Sequence, residues 1–293
     1  MSIIHEKDLS KESKELNADS RLFEIYKSLD LASLKCDTYF QIYEELFNQY
    51  VGKEITFVEV GVLHGGSLLM WRKYFGPQAR IIGVDLDPKA KELEDKGFEI
   101  FIGSQSDSNF WKNFYSQVGN IDILLDDGGH VNDQQIITLS ETVDNTNDDG
   151  TIVVEDVITS YLKKFGNPSS SSFISYSKYL VDVINSRSSN VKGNNEFSKK
   201  IYSILFYDSV VAFKINSKKS IKSSIIKNSG IERADVTDYR TGDYYPTIDR
   251  FFNKRMPLLK RLTLIKKIIR YFFYTHNIFV KIRYYLKIRK YFK

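Results

Sequence analysis

An α/β chain whose parallel sheet is closed by an antiparallel hairpin is the fold class the sequence predicts. Three observations predict it. Short apolar runs alternate with helical patterns from residue 55 to residue 155. Those runs are nearly continuous in Val, Ile and Leu, as strands covered on both faces are. Two further runs, 200–206 and 210–215, have Asp208 and Ser209 between them, the spacing of a hairpin.

The elements follow in order. Residues 1–20 are polar and charged and predict a loose start. Helical patterns lie at 21–29 and 33–51, and in the second Tyr39, Ile42, Tyr43 and Leu46 recur at steps of three and four, giving one apolar face. Strands are expected at 55–60 (ITFVEV), 80–85 (RIIGVD), 98–102, 121–126 (IDILLD) and 150–155 (GTIVVE). Helices between them are expected at 67–75, 88–96 with Pro88 at its start, 109–117 and 132–143, and one more at 173–185. Sequential β-α units with short connections imply right-handed crossovers and a doubly wound, Rossmann-like sheet. Five parallel strands with a closing hairpin is the layout of class I methyltransferases, and the hairpin weighs against a plain dinucleotide dehydrogenase.

Four segments follow: a helical extension over 1–53, an α/β domain over 54–216, expected to be the cofactor-binding catalytic domain if the methyltransferase layout holds, a variable segment over 217–250 and a basic tail over 251–293. The tail holds 13 Lys or Arg and no acid, so the remaining chain carries 42 − 13 = 29 basic against 37 acidic residues. In the tail Leu258, Leu262, Ile265, Ile269 and Phe272 form an apolar stripe beside Lys and Arg, a basic amphipathic helix. An anionic inner-membrane face, the body or a second subunit of a homo-oligomer, and RNA all fit such a helix; nucleic acid is the least favoured. Its longest uncharged stretch, 271–280, is too short to span a bilayer. A polar start without a signal-peptide core, and Cys36 as the only cysteine, lead to the expectation of a reducing cytoplasm.

Parallel sheets of this kind bind ligands beyond the carboxyl ends of their strands. The first strand ends in Glu59-Val60-Gly61-Val62-Leu63-His64-Gly65-Gly66-Ser67, where glycine lets the backbone turn tightly and approach a ligand. This is not the dinucleotide fingerprint G-x-G-x-x-G. Asp85 ends the second strand, where a carboxylate accepts protons from ribose hydroxyls. Gln105 and Ser106, after the third, offer a polar edge for an adenine. Three successive strand ends favour a nucleoside site, with Gly61, Gly65 and Ser67 at its turn, Glu59 toward an ammonium and Asp126 at the end of strand four. The alternative makes Asp85 and Asp87 an exposed turn before Pro88.

The fourth strand ends in Asp126-Asp127-Gly128-Gly129-His130 and the fifth in Val154-Glu155-Asp156. Neighbouring strands lie roughly 5 Å apart, so Asp127, Glu155 and Asp156 meet at one rim. Three such carboxylates repel unless a cation joins them, and all-oxygen ligation suits a hard ion such as Mg²⁺. His130 lies three residues past Asp127, and an imidazole there is suited to take a proton from an alcohol. The competing readings are turn chemistry for Asp-Asp-Gly and helix capping for His130, Glu155 and Asp156.

The stretches FVEVGVLHGGSLLMWRKYFGP, IIGVDLD, GSQSD, IDILLDDGGH and IVVEDVITSY resemble the metal-dependent macrolide sugar O-methyltransferases of the macrocin and mycinamicin type, and the relatives named after cephalosporin hydroxylase. The resemblance implies Asp127, Glu155 and Asp156 as Mg²⁺ ligands and His130 as general base. It places Glu59, Asp85, Gln105 and Ser106 on segments that contact S-adenosylmethionine. It implies O-methylation of a sugar or glycan hydroxyl, on an acceptor that a membrane-docked tail would make lipid-linked. The family has serine where this chain has Gly129, and the match fades after residue 165. The rival functions are a non-catalytic glycan- or membrane-associated binding protein on the same scaffold, a methyltransferase of a non-sugar small molecule, and an NAD-dependent oxidoreductase. Trp71 and Trp111 are either pocket-lining or core. Tyr239, Tyr244 and Tyr245 suit either sugar stacking or packing. The serine run 169–172 is either a mobile loop over the site or a solvated connector.

Overall fold

The computed structural model describes residues 10–165, 170–188, 195–231, 282 and 285–292. Residues Met1–Ile225 form one compact unit and Ile226–Lys293 a second. The tail's apolar stripe, the three tyrosines at 239, 244 and 245, and Ser169 lie outside the described residues.

The first unit is built on a seven-stranded sheet. Its strands are β1 (Thr56–Val60), β2 (Arg80–Asp85), β3 (Glu99–Ile102), β4 (Ile121–Asp126), β5 (Thr146–Val154), β6 (Ile201–Tyr207) and β7 (Val210–Ile215). The order is β3-β2-β1-β4-β5-β7-β6. β1 through β5 pair in parallel, while β7 pairs antiparallel with both β5 and β6, so the expected closing hairpin is present. Ser209 takes a left-handed φ of 60° in its two-residue turn.

Helices cover both faces, and the two-residue period of each strand decides which side a residue feeds. Phe57, Ile81, Ile123, Leu125, Val153 and Ala212 point to one core with α2 (Arg21–Lys27), α3 (Tyr39–Phe47) and α4 (Gly66–Phe75). Val58, Ile82, Leu124, Ile152, Val154 and Val211 point to the other, under α5 (Ser108–Val118), α6 (Asn132–Thr142) and α7 (Phe173–Asn185). Trp71 and Trp111 are fully buried, one in each core, which settles them as packing residues.

Several elements differ from expectation. The start is not wholly loose: α1 (Lys11–Leu16) is N-capped by Ser10, and Asn17 after it donates to the Asp37 carbonyl at 2.9 Å. The second helical pattern begins at Tyr39 rather than residue 33, since residues 33–38 turn away to reach the sheet's rim. Pro88–Lys96 is a 3-10 segment, capped by the Asp87 carboxylate. β5 begins at Thr146, with a register shift in its pairing to β4.

The in-register pairing of Val60 with Val84 and Asp126, and of Asp126 with Val154, aligns the carboxyl ends of the central strands. Beyond the ladder the alignment continues: Asp127 N–H donates to the Val60 carbonyl at 3.0 Å and Glu155 N–H to that of Asp126 at 2.9 Å.

Candidate active site

A cleft of about 1790 Å³ opens at that aligned edge. On its β1–β2 side lie the Gly61–His64 turn, Ser67 and Asp85. On its β4–β5 side lie Asp127, Gly128, Gly129, His130, Glu155 and Asp156.

The turn after β1 is shaped by close backbone contact. Gly61 has a φ of 83°, and a Cβ there would sit 2.3 Å from the carbonyl oxygen of Asp127. Glycine is therefore required twice, for the left-handed conformation and for the approach of β1 to the β4 loop. Asp85 organises the same turn. One carboxylate oxygen accepts from Val62 N–H at 2.9 Å and Leu63 N–H at 3.3 Å, and the other from Asp87 N–H at 2.9 Å. Leu63 is held at a left-handed φ of 45°.

Two of the expected cofactor residues lie behind the cleft. Glu59 is fully buried, accepting from Ser67 Oγ at 2.7 Å and Trp71 Nε1 at 3.3 Å. Burial pushes its pKa up to about 7, against the opposing pull of Lys35. Asp126 is also buried, and both its oxygens accept from Gln105 Nε2, at 2.9 and 3.0 Å. The Gln105 side-chain oxygen Oε1 accepts from Gly129 N–H at 2.8 Å. Gln105 thus spends its amide on fixing the β4 loop, a structural duty the sequence gives no sign of. Ser106 shares a hydrogen bond with Ser104, 2.9 Å apart, and Gly65 turns at a φ of 81° against Leu93.

The rim of β4 and β5 gathers the acid–base groups. His130 Nε2 lies 3.5 Å from Asp156 Oδ2 and 3.9 Å from Asp127 Oδ1. Single ligand atoms of Asp127, His130 and Asp156 all fall within 4.8 Å of one another, a spacing a metal ion fits. His130 and Asp156 both hold left-handed backbones, at φ 58° and 52°. Non-glycine residues in that region are uncommon and concentrate where a side chain must be aimed. The two rims are tied together by Thr159 Oγ1, which donates to the His130 carbonyl at 2.8 Å.

Three residues that sequence reasoning left out complete this cluster, all from the amino-terminal segment. The Lys35 side chain is only 1% exposed, and its ammonium lies 2.5 Å from Asp127 Oδ2, 3.2 Å from Glu155 Oε2 and 3.6 Å from Glu59 Oε1. Burial alone would lower its pKa, but the carboxylates of Asp127, Glu155 and Glu59 outweigh that and hold it well above the usual lysine range. Tyr43 donates its hydroxyl to Glu155, and Tyr39 donates to Asp156 at 2.6 Å. Burial, reinforced by these carboxylates, raises the pKa of both phenols, so both are donors at neutral pH. Burial also raises Asp127 and Glu155; for Glu155 the neighbouring Asp127 adds to it. The tyrosines carried a faint signal, a polar tip on an otherwise apolar helix face. Lys35, in an irregular segment, carried none.

The residues present fit a divalent ion. Oxygens of Asp127 and Glu155 converge on one cation already, the Lys35 ammonium, and Asp156 lies beside them with its second oxygen facing His130. Hard carboxylate donors suit Mg²⁺ or a similar ion.

No family model matches the chain. It is 33% identical over 135 residues to the 8-demethyl-8-alpha-L-rhamnosyl tetracenomycin-C 2'-O-methyltransferase of Streptomyces olivaceus, a match covering 44% of this chain and 35% of that protein. It is 28% identical over 154 residues to the mycinamicin VI 2''-O-methyltransferase of Micromonospora griseorubida, covering 48% and 38%. The chain thus spans about a third of the length of the curated relatives it matches. Among solved structures it resembles the MycE methyltransferase from the mycinamycin biosynthetic pathway in complex with Mg, SAH and mycinamycin VI. The TM-score is 0.59 at 24% identity, over 67% of this chain and 53% of that one. The fold is therefore that of a Rossmann-like class I methyltransferase.

Proposed function

We propose that this chain transfers a methyl group from S-adenosylmethionine to a sugar or glycan hydroxyl, with help from a Mg²⁺-type ion. The observation that carries this reading is the meeting of Asp127, Glu155, Asp156 and His130 on one rim, in the same cleft as Asp85 and the Gly61 turn. One relative is named for O-methylation of a rhamnosyl tetracenomycin and another for O-methylation of mycinamicin VI, which supports a sugar-type acceptor.

When bound, the cofactor supplies an electrophilic sulfonium methyl and the ion a Lewis acid beside the acceptor oxygen. Asp127, Asp156 and Glu155 would hold the ion. The Asp85 carboxylate, fixed by the Val62, Leu63 and Asp87 amides, accepts from the ribose. His130 takes the hydroxyl proton at Nε2, the ring nitrogen that faces the carboxylates. Alignment of acceptor and methyl donor across one cleft accounts for much of the acceleration in such transfers.

His130→Ala tests the base. Turnover is expected to fall by roughly 10²–10⁴-fold, with S-adenosylhomocysteine affinity by isothermal titration nearly unchanged. Full activity in that variant overturns the assignment, and activity that survives a chelator overturns the metal. Labelled cofactor and glycan extracts, with the methyl located by mass spectrometry, separate a sugar acceptor from a non-sugar one.

For residues 251–293 the excess of 13 basic over no acidic residues supports contact with an anionic surface. Among the described residues no helix is long and apolar enough to cross a membrane. Anionic vesicles should co-sediment the whole chain better than a chain ending at residue 249, and equal binding rules the contact out.

A further inference from the structure

Lys35 lies between α2 and α3, in a stretch without helix or strand. Its ammonium is enclosed by carboxylates from three separate strand ends, Glu59 of β1, Asp127 after β4 and Glu155 after β5. Three carboxylates thus face one lysine, and Asp156, next to Glu155 in the chain, adds a fourth negative group to the rim. A single ammonium has three N–H donors and one charge, which leaves most of that cluster uncompensated. The acceptors it uses on Asp127 and Glu155 are two of the groups proposed above to hold the divalent ion. A monovalent and a divalent cation cannot share those oxygens, because two cations a few ångströms apart in a buried site repel strongly.

The chain around Lys35 is built to let it leave. Residues on either side are pinned: the Ser33 carbonyl accepts from Tyr26 Oη at 2.8 Å, and the Asp37 carbonyl from Asn17 Nδ2 at 2.9 Å. Further back, the Leu31 and Ala32 carbonyls press on Gly66, where a Cβ would come within 2.5 Å of both. Between the pins, Leu34 is exposed and Lys35, on a flexible four-carbon stem, lines the open cleft, so turning that stem into the cleft is the movement that would free its ammonium from the carboxylates.

We propose that Lys35 is a displaceable counter-cation of the metal site. It offsets part of the carboxylates' charge while the ion is absent and is expelled when the ion binds. This rests on the metal reading above.

Amine acetylation followed by mass spectrometry tests it on the whole wild-type chain. With chelator, Lys35 is expected to resist acetic anhydride; with saturating Mn²⁺ it becomes reactive, while exposed Lys53 reacts equally in both. In calorimetry Lys35→Met should bind Mn²⁺ roughly tenfold more tightly or better, the scale on which neighbours of a metal site act. Unchanged protection of Lys35 at saturating Mn²⁺ overturns the proposal, as does Mn²⁺ binding to Lys35→Met no tighter than to wild type. If Lys35→Met does not fold, the wild-type labelling still decides. Absence of Mn²⁺ binding in both proteins fails the metal reading itself, and the proposal with it.

Discussion

Replacing Gly61 by alanine separates two costs that usually occur together. At φ 83° a Cβ is strained whatever surrounds it, and here it also meets the Asp127 carbonyl oxygen at 2.3 Å and Gly128 Cα at 2.9 Å. Gly52 provides the internal control, since its φ is 74° and nothing lies within 4 Å of its Cβ position. Gly52→Ala should therefore show strain alone, about 1–2 kcal/mol. Gly61→Ala adds overpacking of backbone against backbone, typically about 1–3 kcal/mol. The clash has no flexible side chain to absorb it, and Asp127 N–H is bonded to the Val60 carbonyl next to Gly61. The sum, about 2–5 kcal/mol, corresponds to a melting temperature lower by roughly 5–15 °C in a unit of this size. Urea unfolding of both variants measures the difference, and Mn²⁺ titration reads its consequence, because the atom pushed aside belongs to a proposed ligand. Equal destabilisation by the two substitutions, or undiminished Mn²⁺ affinity in a folded Gly61→Ala, would refute the reasoning.

Three further perturbations follow from the same contacts. Tyr43→Phe removes a donor from a buried carboxylate, which costs about 1–3 kcal/mol; a thermal melt indistinguishable from wild type would show that the Glu155 hydrogen bond contributes nothing. Asp85→Asn keeps the side chain's size but replaces one acceptor oxygen by a donor facing backbone N–H groups. Its S-adenosylhomocysteine affinity should drop by roughly tenfold or more, about 1.4 kcal/mol, and calorimetry that finds no change removes Asp85 from the cofactor site. Lys214 has its pKa pushed down to about 8 by burial, with Glu45 opposing. Below pH 8 the folded chain carries the full cost of the buried charge; between 8 and the ordinary lysine value the unfolded chain holds more protons, so stability rises with pH. Lys214→Met should therefore be more stable than wild type at pH 7, by about 1 kcal/mol once partial exposure is allowed for, and the gap should close toward pH 10. A gap that does not narrow with pH contradicts this.

The sheet was legible because its strands are buried on both faces and therefore read as apolar runs between turn residues. Even the hairpin was visible in the spacing of Asp208 and Ser209. The rim residues were legible for a related reason: polar residues immediately after an apolar strand have few structural uses, so Asp127, His130, Glu155 and Asp156 stood out. What stayed hidden is everything that depends on distant pairing. Lys35 meets Asp127 and Glu155 across 92 and 120 residues of chain. Gln105 lines the cleft, yet its bonds to Asp126 and Gly129, 21 and 24 residues away, leave no trace in the local sequence. Glu59 faces α4 rather than the cleft, because an i+8 serine and an i+12 tryptophan capture its oxygens first. Periodicity and propensity are local properties and contain none of this.

The hidden half explains why the amino-terminal segment belongs to the site rather than beside it. Glu155 and Asp156 are consecutive, and in an extended strand consecutive side chains point to opposite faces. The left-handed φ of 52° at Asp156 breaks that alternation and lets both carboxylates turn toward α3. There Tyr39 and Tyr43, one helical turn apart, meet Asp156 and Glu155 respectively. Left-handed backbone at a non-glycine residue costs on the order of 1 kcal/mol, so the rim would not hold this shape by itself. The two phenol donors, the Thr159 N–H bond to the Asp156 carbonyl at 3.0 Å and the Thr159 hydroxyl bond to His130 supply the opposing stabilisation. A sheet with these strand ends but without α3 would keep the Lys35 ion pairs to Asp127 and Glu155 but lose the phenol donors that turn Glu155 and Asp156 to the same side.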